Sequence, residues 1–297
     1  MSPSQVESGH AFEYGIAQAF HRLYRLSAIR NDSLMQRGEQ SFQSCTEGEQ
    51  DKIVRAADEV AAFLIAHDNN LRPRDGYRIW LQSDMEGVVG DVRDVIVDHN
   101  GLSVGISAKN RSTAVKNPRL SERIDFGRKW FGIPCSPDYF HQVVPIFREL
   151  HTLRRQGAYW RELTNKSQRF YIPILNAFRD EVSRLCNSNQ IAPTRMVEYL
   201  MGRYDYYMVV KQNGDVSIQS FNLHGTLDWG GRIRLPTRLI EARDKDNSDN
   251  TTIFTFDAGW LLSLRVHNAE SLVMPSLKLD VRIIGLPNAT QHEIHFG

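Results

Sequence analysis

Asp94, Ser107 and Lys109 are the residues of this chain whose types and spacing could do chemistry together. They lie in "GDVRDVIVDHNGLSVGISAKNRS", residues 90 to 112. Asn100-Gly101 is the strongest short hairpin signal there, because a type I′ turn requires positive φ at both central positions. With those two as the loop, His99 faces Leu102, Val97 faces Val104, Val95 faces Ile106 and Asp94 faces Ser107. Side chains alternate along a strand, so Val95, Val97, Leu102, Val104 and Ile106 are expected on a core face, with Val92 and Ile96 as apolar exceptions. The other face carries Asp94, Ser103, Gly105, Ser107 and Lys109. Asp91 has the opposite parity, which favours Asp94 as the reactive aspartate. A carboxylate there can hold Mg2+, and an ammonium beside it can stabilise charge on a phosphate or orient an attacking water. Phosphodiester hydrolysis needs both functions. Gly105 reads as room for a phosphodiester to approach the backbone. The plain alternative is a salt bridge on a half-exposed ribbon.

Two basic segments follow the ribbon. Between residues 109 and 129, Lys109, Arg111, Lys116, Arg119, Arg123, Arg128 and Lys129 stand against Glu122 and Asp125. Between 148 and 169, Arg148, Arg154, Arg155, Arg161, Lys166 and Arg169 stand against Glu149 and Glu162. Alone, each reads as a solvated helix face; next to a metal-compatible ribbon, nucleic-acid binding explains them better. The whole chain adds little to this, since 36 basic and 35 acidic residues nearly cancel and any polyanion must meet a local patch.

The elements that must position the ribbon are legible from periodicity. Phe12, Ile16, Ala19, Phe20, Leu23 and Leu26 predict an amphipathic helix over 10 to 29, with Glu13 beside the apolar stripe. A second helix is expected over 49 to 67 and a strand over 77 to 82. Ser136 and Pro137 read as an N-cap and first helical residue, and Pro173 as a kink in a helix over 168 to 185. From about residue 204 strands dominate, beginning with a hairpin at Asn213-Gly214. The fold class is therefore α/β, a mixed sheet flanked by helices with a β-rich C-terminal part. A boundary in "CNSNQIAP" divides it into 1 to 190, carrying the chemistry, and 191 to 297, for recognition or dimerisation.

Length and composition are those of a soluble globular chain of 297 residues. Cys45, Cys135 and Cys186 are odd in number and scattered, which argues against disulfides and zinc knuckles and for the cytoplasm. No leader and no membrane span are expected. "DHNG" lacks the second histidine of an HNH site, no H-x-x-x-H pair suggests zinc, and neither a P-loop nor G-x-S-x-G occurs.

A helix with an inward Glu, an Asp-bearing strand and a strand ending in x-x-Lys together resemble the PD-(D/E)XK nuclease core. "GHAFEYGIAQAF", "GDVRDVIV", "ISAKNRSTAVKNPRLSERIDFGRKW" and "SFNLHGTL" are similar to the HaeIII-type family of type II restriction endonucleases, with "AVKNPRLS…IDFG..W" the most specific block. The resemblance implies Mg2+-dependent hydrolysis of double-stranded DNA at a short palindrome, GGCC for this type, by a homodimer or two monomer events, with a cognate DNA methyltransferase sharing the target. It places Asp94 at the metal-binding aspartate and Lys109 at the lysine. Arg93 stands where the motif has proline, and Ser107 where it has a second acid; serine cannot supply an anionic ligand. Glu13 is the first candidate to replace that acid, with Glu86 and Asp98 behind it. Its other reading is a first-turn glutamate suited to the helix dipole. Base and phosphate contacts are expected from Asn110, Arg111, Lys116 and Arg119, and from Asn222, His224, Arg232 and Arg234, although the latter segment also reads as a glycine-rich β-connection. The rival function is a non-catalytic DNA-binding protein that keeps the fold without a working metal site.

Overall fold

The computed structural model describes all residues except 1–4, 25, 84, 87–89, 112, 213, 288–289 and 297. Asn213, the first residue of the expected second hairpin turn, lies outside the described residues.

The chain forms two compact units, and it passes between them several times. Unit 1 comprises Met1–Thr113, Gly202–Ile233 and Asn288–Gly297; unit 2 comprises Ala114–Met201 and Arg234–Pro287. The boundary expected at 190/191 falls inside unit 2.

In unit 1, helices α1 (Gln5–Leu23), α2 (Ser33–Gln43) and α3 (Glu47–His67) accompany a seven-stranded sheet. Its strands are β1 (Ala28–Ile29), β2 (Arg78–Leu81), β3 (Val95–His99) and β4 (Leu102–Asn110), followed, after the unit 2 strands β5 (Ala114–Lys116) and β6 (Arg119–Leu120), by β7 (Tyr206–Lys211) and β8 (Asp215–Phe221). The spatial order is β1-β2-β3-β4-β7-β8 and then β13 (Gln291–His295). The β1–β2 and β4–β7 pairs are parallel and the others antiparallel, so the sheet is mixed as expected. A parallel pair cannot be closed by a tight turn, and the connection from β4 to β7 carries the chain through residues 114–201 of unit 2. That is why no single cut separates the units.

α1 forms because Ala11, Phe12, Ile16, Ala19 and Phe20 recur at helical spacing, and all five are buried against Val95, Val97, Val104, Ile106, Tyr207 and Val209. Burying each large side chain contributes about 1.5–3 kcal/mol. α3 starts at a capping box in which Thr46 and Glu49 bond reciprocally. It crosses α1 closely at Gly15, where a Cβ would come within 2.6 Å of Ile53. α1 begins five residues before the expected start and stops at Leu23. Beyond it, Tyr24 hydrogen-bonds the Leu71 carbonyl at 2.7 Å and stacks on Tyr77 at 4.1 Å, leaving Leu26 exposed.

Unit 2 has its own sheet, ordered β5-β12-β11-β10-β9 with β6 also on β12, where the later strands are β9 (Leu239–Asp244), β10 (Thr251–Phe256), β11 (Leu261–His267) and β12 (Leu277–Gly285). Its helices are α4 (Phe126–Trp130), α5 (Pro137–Arg155), α6 (Ile172–Ser188) and α7 (Ala192–Met201). Ser136 caps α5 through the Tyr139 amide, as expected. Pro173 does not kink a continuous helix. A π-turn over Ser167–Tyr171 ends and α6 begins around it, which places the missing N–H in a first turn where it is tolerated. The strands of residues 191–297 are thus shared between both sheets. Cys45, Cys135 and Cys186 are buried and unpaired. No described helix is long and apolar enough to cross a membrane.

Candidate active site on the first hairpin

The turn is type I′: Asn100 and Gly101 have φ of 53° and 87°. The register follows, with His99 opposite Leu102, Val97 opposite Val104 and Val95 opposite Ile106. Asp94 extends the pairing by one residue; its amide donates to the Ile106 carbonyl at 2.8 Å and its carbonyl accepts from Gln82 at 2.9 Å. Val95, Val97, Val104 and Ile106 form the core face. Leu102 departs from it, 43% exposed at the tip, and Ile96 on the opposite face is buried too, so the ribbon is covered on both sides.

Asp94, Ser107 and Lys109 come together. Asp94 Oδ2 accepts from Lys109 Nζ at 3.0 Å, the Ala108 amide at 2.8 Å and Ser107 Oγ at 3.1 Å. Asp94 and Lys109 remain partly open to solvent, with 18% and 22% of their side chains exposed. Ser107 therefore acts as a donor that fixes the carboxylate. On β7, Tyr206 lies in register with Gly105, and burial together with the Asp94 carboxylate pushes its phenol far above the usual range.

Asp91 is occupied elsewhere, in a two-pronged ion pair with Arg93, which agrees with the parity argument. Gly105 does not leave room for a phosphodiester: a Cβ there would meet Arg93 Cδ at 1.9 Å, so the arginine stem occupies that space. Asp98, a weaker acid candidate, is a buried brace that accepts from Arg78 at 2.6 Å and Ser103 at 2.8 Å. Burial tends to raise its pKa, but the bonds from Arg78, Ser103 and the Gly101 amide hold it below the ordinary carboxylate range. Glu86 is exposed. Glu13 is partly buried in the middle of α1, while Glu7 occupies the first turn, so a dipole role for Glu13 does not apply. Its helix covers the valine face, and the structure does not place it on the face of Asp94 and Lys109.

The hairpin fits a hard cation in part. Oδ2 of Asp94 is committed to three donors while Oδ1 accepts none of them. Mg2+ needs only one or two carboxylates when water and phosphate oxygens complete its shell. Among the described residues, no three His, Cys, Asp or Glu side chains form a metal-holding cluster.

The recognition candidates fall in both units. In unit 1, Asn110 ends β4 with its Oδ1 buried and without a hydrogen-bond partner, and Arg111 is exposed at a positive φ of 59°. His224 and Arg232 are exposed, although Arg232 Nε also donates to Leu223 O at 3.3 Å. Asn222 is buried with both ends of its amide committed, to Leu227 and Gly230, so it braces its loop instead of presenting its amide to bases. In unit 2, Lys116 donates to Tyr199 O at 2.6 Å and lies 3.7 Å over its ring, and Arg119 donates to Ser276 at 3.1 Å. Arg234 is exposed, as are Arg123, Arg128 and Lys129; the Arg123–Glu122 and Arg128–Asp125 pairs are loose at 3.6 and 3.7 Å. Such surface pairs leave cations available to phosphate.

In the sequence Arg93 is visible only as the residue in place of a proline; the structure adds Tyr204, whose ring lies 4.1 Å under the Arg93 guanidinium. The D-x-R spacing of "GDVRD" was the available signal.

A model of the HaeIII restriction endonuclease family matches residues 9–287. The type II restriction enzyme HaeIII of Haemophilus aegyptius is 34% identical over 306 aligned positions, covering 97% of this chain and 96% of that protein. No solved structure matches. With the family's pattern running through both units, the chain belongs to the HaeIII restriction endonuclease family of site-specific nucleases.

Proposed function

We propose that this protein hydrolyses both strands of double-stranded DNA at a short palindrome, GGCC, in a Mg2+-dependent reaction. The observation that carries the reading is the 3.0 Å pairing of Asp94 with Lys109 on one face of a hairpin. Asp94, through Oδ1, is the residue of this face that would hold Mg2+, which when bound supplies charge neutralisation at the scissile phosphate; Glu13, the sequence candidate for a second acid, belongs to the helix that covers the opposite face. Lys109 presents an ammonium to the same phosphate and stabilises the negative charge that grows as the bond to the leaving oxygen breaks. Ser107 and the Ala108 amide keep the Asp94 carboxylate from rotating. Asn110 and Arg111, the next two residues after Lys109 at the end of β4, bring recognition next to chemistry, and Arg232, His224, Arg234, Lys116 and Arg119 supply further contacts to phosphates and base edges. A palindrome calls for two copies of the chain, and a methyltransferase of the same specificity in the same cytoplasm would shield the host's own sites.

The absence of a three-acid cluster among the described residues favours, as a second reading, a DNA-binding protein without catalysis. A plasmid digest separates the two. Discrete fragments whose ends map to GGCC sites and that disappear with EDTA, with Lys109→Ala and with Asp94→Asn are the expected result. Retarded but uncut DNA in Mg2+ would establish the second reading, and ends at another sequence would discard GGCC. Glu13→Gln should keep full activity, and a loss of Mg2+-dependent cutting without a loss of melting would return Glu13 to the metal.

A further inference from the structure

We propose that Arg93 is a positioning residue for Asp94, and that its ion pair with Asp91 does the work of the proline that the nuclease motif carries at this place. The inference rests on Asp94 being the metal-side carboxylate. Asp91 Oδ1 accepts from Arg93 Nε at 2.8 Å and from the Arg93 backbone amide at 3.2 Å, while Oδ2 accepts from Nη2 at 2.6 Å. Backbone and side chain of the residue before Asp94 are thus held by one carboxylate two residues upstream. The two side chains are only 10% and 9% exposed. Proline restricts a turn by fixing φ; here a two-pronged, charge-assisted bond closes a ring across Val92 and restricts the same segment.

The clamp also ties that segment to β4 and to the lead-in of β7. Gly105 of β4 has no side chain where the Arg93 stem lies, and any Cβ would overlap it, at 1.9 Å from Cδ and 2.4 Å from Cγ. The guanidinium plane stacks on Tyr204, which leads into β7. Gly202, with φ of 112°, lets that same lead-in approach Val92, where a Cβ would come within 2.8 Å. Arg93 is therefore fixed from three sides before Asp94 enters the pairing with Ile106. With Nε and Nη2 committed and the side chain nearly buried, it is not arranged as a phosphate ligand. Replacing such a buried pair with apolar groups is commonly neutral for stability, so what the pair adds is direction.

The test uses the full-length protein. Single-turnover cleavage of a duplex containing the target is measured against Mg2+ concentration for Arg93→Met, which keeps the stem, for Arg93→Lys and for Asp91→Asn. DNA affinity without Mg2+ and thermal melting are measured in parallel. Small displacements of a reacting group are enough to slow chemistry severely, so the rate of Arg93→Met and Asp91→Asn should fall by about tenfold or more. The Mg2+ concentration at half-maximal rate should rise while DNA affinity stays close to the parent; each single variant leaves one buried charge without its partner and lowers the melting temperature, so rates are compared at a temperature where every variant is fully folded. Arg93→Lys should recover part of the rate. Gly105→Ala should slow the parent yet add little to Arg93→Ala, because both act through one contact. Rates and Mg2+ dependence within about twofold of the parent for both Arg93→Met and Asp91→Asn would overturn the proposal. So would a loss of rate that only tracks lost melting or lost DNA affinity, or failure of these variants to fold. Asp94→Asn in the same series keeps the two readings apart: if it cuts normally, the role of Asp94 falls; if it is inactive while Arg93→Met cuts normally, only the positioning role falls.

Discussion

Lys211 at the end of β7 is nine-tenths buried, and its ammonium makes no hydrogen bond or ion pair among the described residues. Its ammonium lies 6.0 Å over the Phe12 ring, the one compensating contact of its kind. Burial, and then the positive fields of Arg111 and Lys52, push its pKa below the ordinary lysine range. A base whose folded pKa is depressed binds fewer protons folded than unfolded between the two values. The charged side chain therefore destabilises fully below the folded pKa, and stability is regained as pH rises through it. Lys211→Met should raise stability by about 1 kcal/mol or more near neutral pH, and the gain should shrink in alkaline solution. Urea titrations at several pH values check this; a variant less stable than the parent at pH 7 would show that the cation is compensated. At this scale the sequence is readable where chemistry follows from parity, as for Asp94, Ser107 and Lys109. It is unreadable where a group's partner is distant in the chain. Gly105 reads as an opening until Arg93 is seen on it, and Asn222 reads as a base reader until its amide is found bracing Leu227 and Gly230.

Elements were legible in proportion to how local their causes are. The β3–β4 register followed from Asn100-Gly101 alone, and the start of α5 from Ser136-Pro137. The end of α1 did not, because it is set by Tyr24 meeting Leu71 and Tyr77, some fifty residues on. The join between α5 and α6 is likewise non-local. Glu181 of α6 accepts from the Ser136 amide and hydroxyl, both at 2.7 Å, and from Arg184 at 2.6 Å, which ties the cap of one helix to the body of the other. Burial alone would raise its pKa, but Arg184 and Ser136 hold it below the ordinary glutamate range. An acid with a depressed folded pKa adds stability above its unfolded pKa and loses that contribution as pH falls through the folded value. Glu181→Gln should therefore destabilise unit 2 by about 1–3 kcal/mol at neutral pH. The difference from the parent should narrow below pH ~4.5. Thermal melts across that range decide it, and a gap independent of pH would mean that the charge plays no part.

For the whole molecule, composition and pattern led to the right class of fold but not to its division. A change of texture near residue 190 suggested two consecutive domains, whereas the chain leaves unit 1 after Thr113, returns at Gly202, leaves again after Ile233 and returns near residue 288. Texture reports local periodicity; the pairing of β4 with β7 across ninety-odd residues has no local signature. A fragment of residues 1–190 lacks β7, β8 and β13, so the Lys109 edge of β4 has no neighbour. It should show no cooperative thermal transition by circular dichroism, in contrast to the full chain. A sharp melt of that fragment would show that the hairpin and its helices stand without the returning strands.

The same strand order governs when a cutting enzyme can exist at all during its own synthesis. Asp94 and Lys109 leave the ribosome early, but β4 must wait for Tyr206–Lys211 to emerge, and the sheet is not closed at its far edge until Gln291–His295 follow. A chain released prematurely anywhere before β7 carries the Asp94–Lys109 pair on an unfinished sheet. For a site-specific nuclease whose proposed cutting pair is Asp94 and Lys109, that order delays cleavage until the returning strands have paired.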